Sequence, residues 1–269
     1  MAWDPSQYAR FGEDRLRPFV DLLAQIRPER EPRLVVDMGC GDGPATLTLA
    51  DRWPNARIVG IDSSPDMLAR ARELDVDGRV EWREGSAQDW DPADLGAPVD
   101  VLVSNAALQW VPTHRELLPQ WADALAPDGW LALQVGRNIA APSHVLMREV
   151  AQRHPRSAEL MPALELSRAA ASAVEYLEIL AGAGLCADAW TTTYVHVLVL
   201  AAAAESEAHP VLSWVRGTTL RPILDILGEA DARGFLAEYE SELRSAYPTH
   251  DFGVPFEFHR VFAVGHKAG

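Results

Sequence analysis

The sequence has little cysteine, a deficit of basic residues and no long apolar run. Only Cys40 and Cys186 occur in 269 residues, which excludes a disulfide framework and a cysteine-based zinc site and suits a reducing compartment. Lys and Arg total 24 against 39 Asp and Glu, giving a net charge of −15. Because such a field repels phosphate backbones and anionic lipid, we expect neither nucleic acid nor a membrane as a partner.

Targeting and membrane-spanning signals are also missing from the sequence. No apolar segment approaches the length that crosses a bilayer, and the first residues lack the basic stretch and apolar core of a signal peptide. Hydrophobic residues make up 48% and charged residues 23%, as in ordinary folded domains. We therefore expect a cytoplasmic α/β protein that is an enzyme. Two separate expectations are that it is a monomer and that it binds no metal.

Strand and helix signals alternate between residues 33 and 140. The apolar strand signals are Leu34–Val36, Arg57–Ile61, Val80–Trp82, Val99–Val103 and Trp130–Val135. The helices predicted among them are Ala45–Trp53, Pro65–Leu74 and Arg115–Leu125. Units of strand, helix and strand at this spacing predict a buried parallel sheet.

The pattern changes after residue 140. Residues 142–184 and 205–247 have mostly helical spacing, while Thr191–Leu200 and Phe256–Val264 are predicted as strands. We predict one structural domain with three segments. They are an N-terminal lid and substrate segment (1–32), a cofactor-binding core (33–140), and the remaining strands with a helical cap (141–269).

The turn Asp37–Gly43 carries the strongest functional signal. Its three glycines at alternate positions after a strand allow the backbone to turn sharply and to approach a ligand. A dinucleotide-binding turn would need the pattern G-x-G-x-x-G. Here the third glycine comes one residue early, Pro44 takes the glycine position, and Asp42 would face the phosphates. NAD therefore fits poorly.

Two carboxylates beside this turn favour a nucleoside without phosphates. Asp62 ends the second strand, where a carboxylate can accept hydrogen bonds from both ribose hydroxyls, and Asp37 can hold an ammonium group. A ligand with a ribose, an amine and no phosphate describes S-adenosyl-L-methionine, whose product is S-adenosyl-L-homocysteine. The alternatives are a turn that only joins strand to helix, with the two acids as caps, and a non-catalytic nucleoside-binding protein.

Four segments resemble the motifs of class I S-adenosylmethionine-dependent methyltransferases. They are Asp37–Gly43, Gly60–Leu68, Ser104–Trp110 and Leu125–Leu131. The resemblance implies a Rossmann-like α/β fold with a seven-stranded, mostly parallel sheet, an N-terminal lid segment and a helical cap. The cofactor-binding residues that it implies are Asp37, Gly39, Cys40, Gly41, Asp62, Ser63, Met67, Ser86, Ala87 and Asn105.

Segments outside this core resemble one family, the trans-aconitate 2-methyltransferases. They are Trp3–Tyr8, Phe11, Arg15–Pro18, Ala141–Val150, Thr192–Tyr194, Trp214–Pro222 and Ala246–Pro248. This resemblance implies O-methylation of a carboxylate of a small polyacid, with trans-aconitate as the first choice. Another small-molecule acid, such as a specialised metabolite, is the alternative.

A polyacid needs a local cationic pocket in so acidic a protein, and the planar guanidinium of arginine pairs with carboxylates through two hydrogen bonds. The residues predicted to bind the acid are Tyr8, Arg17, Trp110, His144 and Arg221. Further candidate arginines are Arg15, Arg137 and Arg216. For each arginine, a solvated surface ion pair is the alternative.

The sequence departs from the family pattern in three places. Asp42–Pro44 replaces the usual proline, glycine and asparagine, and Val135–Arg137 replaces a more usual proline–glycine pair before Asn138. Ser86 stands in place of an aspartate that contacts adenine. A serine can still form a hydrogen bond, and the alternative is that backbone atoms of Ala87 and Gln88 contact the edge of the base. We expect no catalytic general base, because a carboxylate is already ionised at neutral pH. The rate then depends on holding the reacting atoms in line and on excluding water.

Overall fold

The computed structural model describes residues 12–166, 169–199 and 208–269. Its strands are β1 (Leu34–Met38), β2 (Arg57–Asp62), β3 (Val80–Glu84), β4 (Val99–Asn105), β5 (Leu125–Gly136), β6 (Leu185–Leu198) and β7 (Val254–Lys267). They form a seven-stranded sheet in the order β3-β2-β1-β4-β5-β7-β6. Strands β1 to β5 pair in parallel, and β7 pairs antiparallel to β5. The predicted seven-stranded, mostly parallel sheet is confirmed.

Helices connect most of these strands. They are α1 (Gly12–Leu23), α2 (Pro44–Arg52), α3 (Pro65–Leu74), α4 (His114–Asp123), α5 (Pro142–Arg153), α6 (Ser157–Leu166), α7 (Ala173–Gly182), α8 (Pro210–Arg216) and α9 (Arg221–Ala246). The prediction was wrong at the end of the fourth helix. Leu125 belongs to β5, because it pairs with Val99 and is buried, so strand pairing outweighs helical spacing.

Local sequence signals explain where α2 and α3 begin. Each helix has a proline at its first turn, where the missing N–H leaves no hydrogen bond unmade. The Ser64 side chain accepts a hydrogen bond from Met67 N and caps α3, while Gly43 precedes α2 with a φ of 96°. Both helices therefore start directly above the carboxyl ends of β1 and β2.

The chain divides into two compact units. The first unit contains residues 13–136, 170–192 and 260–269. Its core joins sheet residues such as Val36 and Leu133 to Trp121 of α4 and Tyr176 of α7. The sheet is therefore sealed on this face by two helices of the same unit.

The described residues of the second unit are 12, 137–166, 169, 193–199 and 208–259. Its core joins Met147 of α5, Leu160 of α6 and Trp214 of α8 to Phe235 of α9 and Phe256 of β7. The cap helices thus have a hydrophobic core of their own, and none of its residues belongs to the core of the first unit.

Candidate active site

The predicted cofactor residues of the first unit collect at one edge of its sheet. Strands β3, β2, β1 and β4 are parallel neighbours, so their carboxyl ends meet at the same edge. Chain order reverses between β1 and β4, which is where ligands bind in open α/β sheets. At or just beyond this edge lie Asp37, Gly39, Cys40, Gly41, Asp62, Ser63, Met67, Ser86, Ala87 and Asn105.

The glycine turn after β1 is fixed by its backbone. The N–H groups of Gly39 and Cys40 both donate to the carbonyl oxygen of Ile61, at 2.8 and 3.0 Å. Gly39 has a φ of +80°, and a Cβ on it would lie 2.2 Å from the Cβ of Ala107. Gly41 has a φ of +57°, and a Cβ there would have no atom within 4 Å. Glycine is therefore required at 39 by packing, while the space above Gly41 is open.

Asp62 ties the end of β2 to this turn. One carboxylate oxygen accepts from Gly41 N and the other from Ser64 N, both at 2.9 Å. Each carboxylate oxygen has a second lone pair, so the group can still accept hydrogen bonds from two ribose hydroxyls. The geometry fits the predicted role in binding a nucleoside.

Asp37 is the most buried charged group of this edge. Its side chain is almost fully enclosed, and its Oδ2 accepts a hydrogen bond of 2.7 Å from Thr46 Oγ1. Burial raises the pKa of Asp37 to about 7, the Thr46 hydroxyl lowers it, and the neighbouring Asp62 carboxylate raises it further. An ammonium group beside Asp37 would restore its ionised form. Sequence reasoning missed Thr46, since a threonine on α2 carries no motif.

The segment after β4 has a strained backbone. Ala106 has a φ of 54°, in the left-handed region that non-glycine residues rarely adopt. Two hydrogen bonds hold it there: Ala106 N donates to Gln134 O at 2.8 Å, and Gln109 Nε2 donates to Ala106 O at 2.6 Å. This conformation fixes the position of Asn105 and brings Ala107 against Gly39. Trp110, predicted on the acid side, follows with about half of its surface exposed.

Cys40 and Ser86, two other predicted cofactor residues, offer few groups that could react or bind. Burial raises the pKa of the Cys40 thiol, so it stays protonated and is not a nucleophile. Ser86 Oγ accepts a hydrogen bond from Gln88 N at 3.1 Å, which shapes the turn after β3. Ser86 is half-buried and its hydroxyl can still donate to a ligand.

The second unit places His144 in a network of hydroxyl groups. The Oγ of Ser143 lies 3.2 Å from its Nδ1, and Oγ1 of Thr219 lies 3.3 Å from its Nε2. Burial, with the nearby Arg148 guanidinium, lowers the pKa of His144 to about 4, so the imidazole is neutral at physiological pH. His144 therefore offers orientation and hydrogen bonding, not positive charge.

Two tyrosines fix the backbone under His144. Tyr239 OH donates to Ser143 O at 2.9 Å, and Ser143 N donates to Tyr247 OH at 3.0 Å. Both rings and Ser143 are buried. The sequence analysis did not single out these tyrosines for this role.

The arginines differ in their surroundings. Arg17 is exposed on α1, and the side chain of Arg221 is 39% exposed with its Nε 3.9 Å from Asp225 Oδ2. Arg137 is half-buried, and its Nε is buried with no hydrogen-bond acceptor within the described ranges. A buried guanidinium nitrogen without an acceptor favours a nearby anion. Tyr8 lies outside the described residues.

Two kinds of feature are absent from the described part of the chain. No helix there is long and apolar enough to cross a membrane. No group of three or more His, Cys, Asp or Glu side chains there could hold a metal ion.

Comparison with known proteins places the chain in a family. A methyltransferase domain model matches residues 35–129. A trans-aconitate 2-methyltransferase of Streptomyces avermitilis is 48% identical over 99% of this chain and 97% of its own length. Another from Streptomyces coelicolor is 49% identical over 98% of this chain and 86% of its own length. The YcgJ protein of Bacillus subtilis shares the fold, with a TM-score of 0.59, 16% identity, and coverage of 94% of this chain and 99% of that one.

The fold and the site at the carboxyl edge define a class I methyltransferase that uses S-adenosyl-L-methionine. The residues at this edge fit that cofactor: the buried carboxylate of Asp37 matches its ammonium group, and the Asp62 carboxylate beside the glycine turn matches its ribose, with open space above Gly41. The chain belongs to the trans-aconitate 2-methyltransferase family.

Proposed function

We propose that this methyltransferase esterifies a carboxylate of trans-aconitate. The observation that carries the proposal is the 48% identity over 99% of the chain to a protein named trans-aconitate 2-methyltransferase. An alignment of that extent includes the cap helices as well as the methyltransferase core. Substrate choice within a fold depends on such added segments, so their similarity supports a shared substrate.

We propose Arg137 as the principal anion-binding group for the acid. It follows the carboxyl end of β5 directly, and its main-chain N–H donates to His259 O at 2.9 Å, which fixes its starting point. A buried guanidinium nitrogen without an acceptor is costly, and a substrate carboxylate would supply that acceptor. Arg17 and Arg221 stay proposed as further contacts, together with Tyr8, Trp110 and His144.

Methyl transfer to a carboxylate requires no general acid or general base. When bound, S-adenosyl-L-methionine supplies a methyl group that is activated by its sulfonium. The residues of this chain then hold an already ionised carboxylate in line with that methyl group and keep water away. We propose that Asp37 holds the ammonium group and that Asp62 holds the ribose, with the glycine turn and the segment Ser86–Ala87 beside them.

Charge and cysteine content bear on the partner and the compartment of the reaction. A net charge of −15 favours a small-molecule acid over nucleic acid or an anionic membrane as the partner, and two cysteines suit the cytoplasm. We propose that the chain acts there as a monomer. We also propose that residues 33–140 bind the cofactor and that residues 1–32 and the cap helices contribute to the acid site.

The test is methyl transfer from labelled S-adenosyl-L-methionine to trans-aconitate, cis-aconitate, isocitrate, citrate and several monoacids, with product mass as the readout. Rapid formation of a monomethyl ester on trans-aconitate is the expected result. Transfer to a different acid in preference would overturn the substrate assignment and keep the reaction class.

A variant pair tests the arginine. Arg137→Gln is expected to raise the KM for trans-aconitate by about 10- to 100-fold, as for a lost hydrogen bond to a charged group. Arg233→Ala, an exposed position on α9, is the control and should leave KM unchanged. Equal KM values in the two variants would remove Arg137 from the acid site.

A further inference from the structure

Gln134 is a buried amide with unmet hydrogen-bonding capacity. It lies on β5 and is 1% exposed, yet neither its Oε1 nor its Nε2 has a hydrogen-bond partner among the residues that the structure describes. Its neighbours Leu133 and Val135 pack into the core on one face of the sheet. Successive side chains of a strand point to opposite faces, so Gln134 points to the other face. A buried amide without partners is unfavourable unless a ligand supplies them.

Strand register places this amide beside the cofactor site. Gln134 pairs with Asn105, and Ala132 pairs with Val103, which in turn pairs with Asp37. These side chains share a face, so Gln134 and Asn105 lie one side-chain row beyond Asp37 towards the carboxyl edge. Adjacent strands are about 4.8 Å apart, so Gln134 lies about 10 Å from β1, on the side away from β2. Gln134 therefore lies next to the predicted cofactor residues but is not itself one of them.

Two further side-chain oxygens at this edge have no partner. Asn105 Oδ1 and Gln109 Oε1 are buried, and neither accepts a hydrogen bond from any described residue. The orientation of the Gln109 amide is fixed, because its Nε2 donates to the strained Ala106 carbonyl at 2.6 Å. Of the three side chains, Gln134 has an unpartnered donor, Nε2, beside its own unpartnered Oε1. A donor calls for an acceptor on the ligand.

We propose that Gln134 binds the acceptor acid, with its Nε2 donating a hydrogen bond to the carboxylate that receives the methyl group. This inference rests on the proposed function. It names the group that orients the nucleophilic carboxylate.

A neutral donor suits this reaction better than a cation. The carboxylate oxygen forms a bond to the methyl carbon as the carbon–sulfur bond breaks, the sulfur keeps the electron pair, and no proton moves. The opposite charges of the two reactants disappear during this step. A cation at the reacting oxygen would stabilise the ionised carboxylate more than the transition state, whereas a neutral amide orients the oxygen with less of that penalty.

The experiment compares Gln134→Leu with Gln120→Leu, the same change at an exposed position of α4. For Gln134→Leu, kcat/KM for the acid is expected to fall by about 10- to 100-fold, with weaker calorimetric binding of the acid to the complex with S-adenosyl-L-homocysteine. Affinity for S-adenosyl-L-homocysteine alone should stay within about twofold, since Gln134 is away from the β1 turn. The Tm should rise by a few degrees (about 2–6 °C), because an unpaired buried amide is removed. Gln120→Leu should change none of these.

Three results would overturn the assignment. A lower Tm with unchanged kcat/KM would mean that Gln134 is a structural amide, and an equal loss of cofactor affinity would place it in the cofactor site. The variant Gln134→Met keeps the length of the side chain and guards against a folding defect. Wild-type kinetics in this folded variant would also exclude Gln134 from binding the acid. A wrong substrate assignment gives a different result from a wrong role for Gln134. The wild-type enzyme would then methylate another acid of the panel, and kcat/KM of Gln134→Leu relative to wild type would be measured with that acid.

Discussion

The site at the carboxyl edge of β1 and β2 is held by main-chain geometry, whereas the polar cluster around His144 is held by side-chain hydroxyls. In the first unit, backbone N–H groups of the glycine turn bind Ile61 O and the Asp62 carboxylate. In the second unit, the hydroxyls of Tyr239 and Tyr247 bind the backbone of Ser143. A turn built from the backbone tolerates few side chains, while a network of hydroxyls can be rebuilt with other residues.

The two regions also differ in charge. Asp37 has a pKa of about 7 and stands ready to bind a cation, while His144, with a pKa of about 4, is neutral under the same conditions. In the proposed role, the charge in the first region binds the ammonium group of the cofactor, which every member of the class shares. Neutral hydrogen bonding in the second region suits the selection of one substrate among similar acids.

The most damaging single change should be Gly39→Ala. Its Cβ would lie 2.2 Å from the Cβ of Ala107, and the φ of +80° disfavours any side chain. Overpacking and backbone strain together should lower the free energy of unfolding by about 2–5 kcal/mol and abolish calorimetric binding of S-adenosyl-L-homocysteine. The matched control is Gly182→Ala at the exposed end of α7, where a Cβ meets no atom within 4 Å. A Gly39→Ala protein that binds like wild type would show that the turn can rearrange.

Asp37→Asn should give the next largest effect, and it depends on pH. The pKa of Asp37 in the folded state, about 7, lies above the ordinary value of 3.8. The stabilisation from its bound proton is therefore complete below pH 4 and is lost as pH rises to about 7. Relative to Asp37→Asn, the unfolding free energy of wild type should fall over this window by up to about 4 kcal/mol, measured by denaturant titration.

Ligand binding should show the opposite trend at Asp37. An ammonium group pairs with the ionised carboxylate, so wild-type affinity for S-adenosyl-L-homocysteine should increase up to about pH 7, with proton release below it. Calorimetry in two buffers of different ionisation enthalpy measures that proton. Asp37→Asn should bind about 10- to 100-fold more weakly and release none. Proton release that persists in this variant would assign it to another group.

A smaller effect is expected in the second unit from Tyr247→Phe. Ser143 N would lose its acceptor in a buried position, which should cost about 1–3 kcal/mol of unfolding free energy. Without this hydrogen bond, Ser143 and the adjacent His144 should move. That movement should raise the KM for the acid and leave cofactor affinity unchanged. Tyr176→Phe is the control, because this buried hydroxyl lies 2.7 Å from His114 Nε2 in the first unit. A similar KM rise in both variants would mean that KM follows stability alone.

The comparison of the two regions also explains what the sequence could predict. Asp37 and Asp62 could be predicted to lie at this edge because each stands at the carboxyl end of a strand, so local order determines their place. Ser143 is 96 and 104 positions from the two tyrosines that hold it, and no local pattern links them. Gln134 was not predicted, because the proposed role of its amide depends on strand register with Asn105, which the sequence does not show.

The double attachment of Asp62 affects how quickly a ligand can bind. Its two carboxylate oxygens already hold Gly41 N and Ser64 N, so the loop is assembled before any ligand arrives. An incoming nucleoside meets a finished surface, and no loop has to fold during the encounter. Association at this edge should then be controlled by diffusion and orientation, and differences in affinity among cofactor analogues should come from their dissociation rates.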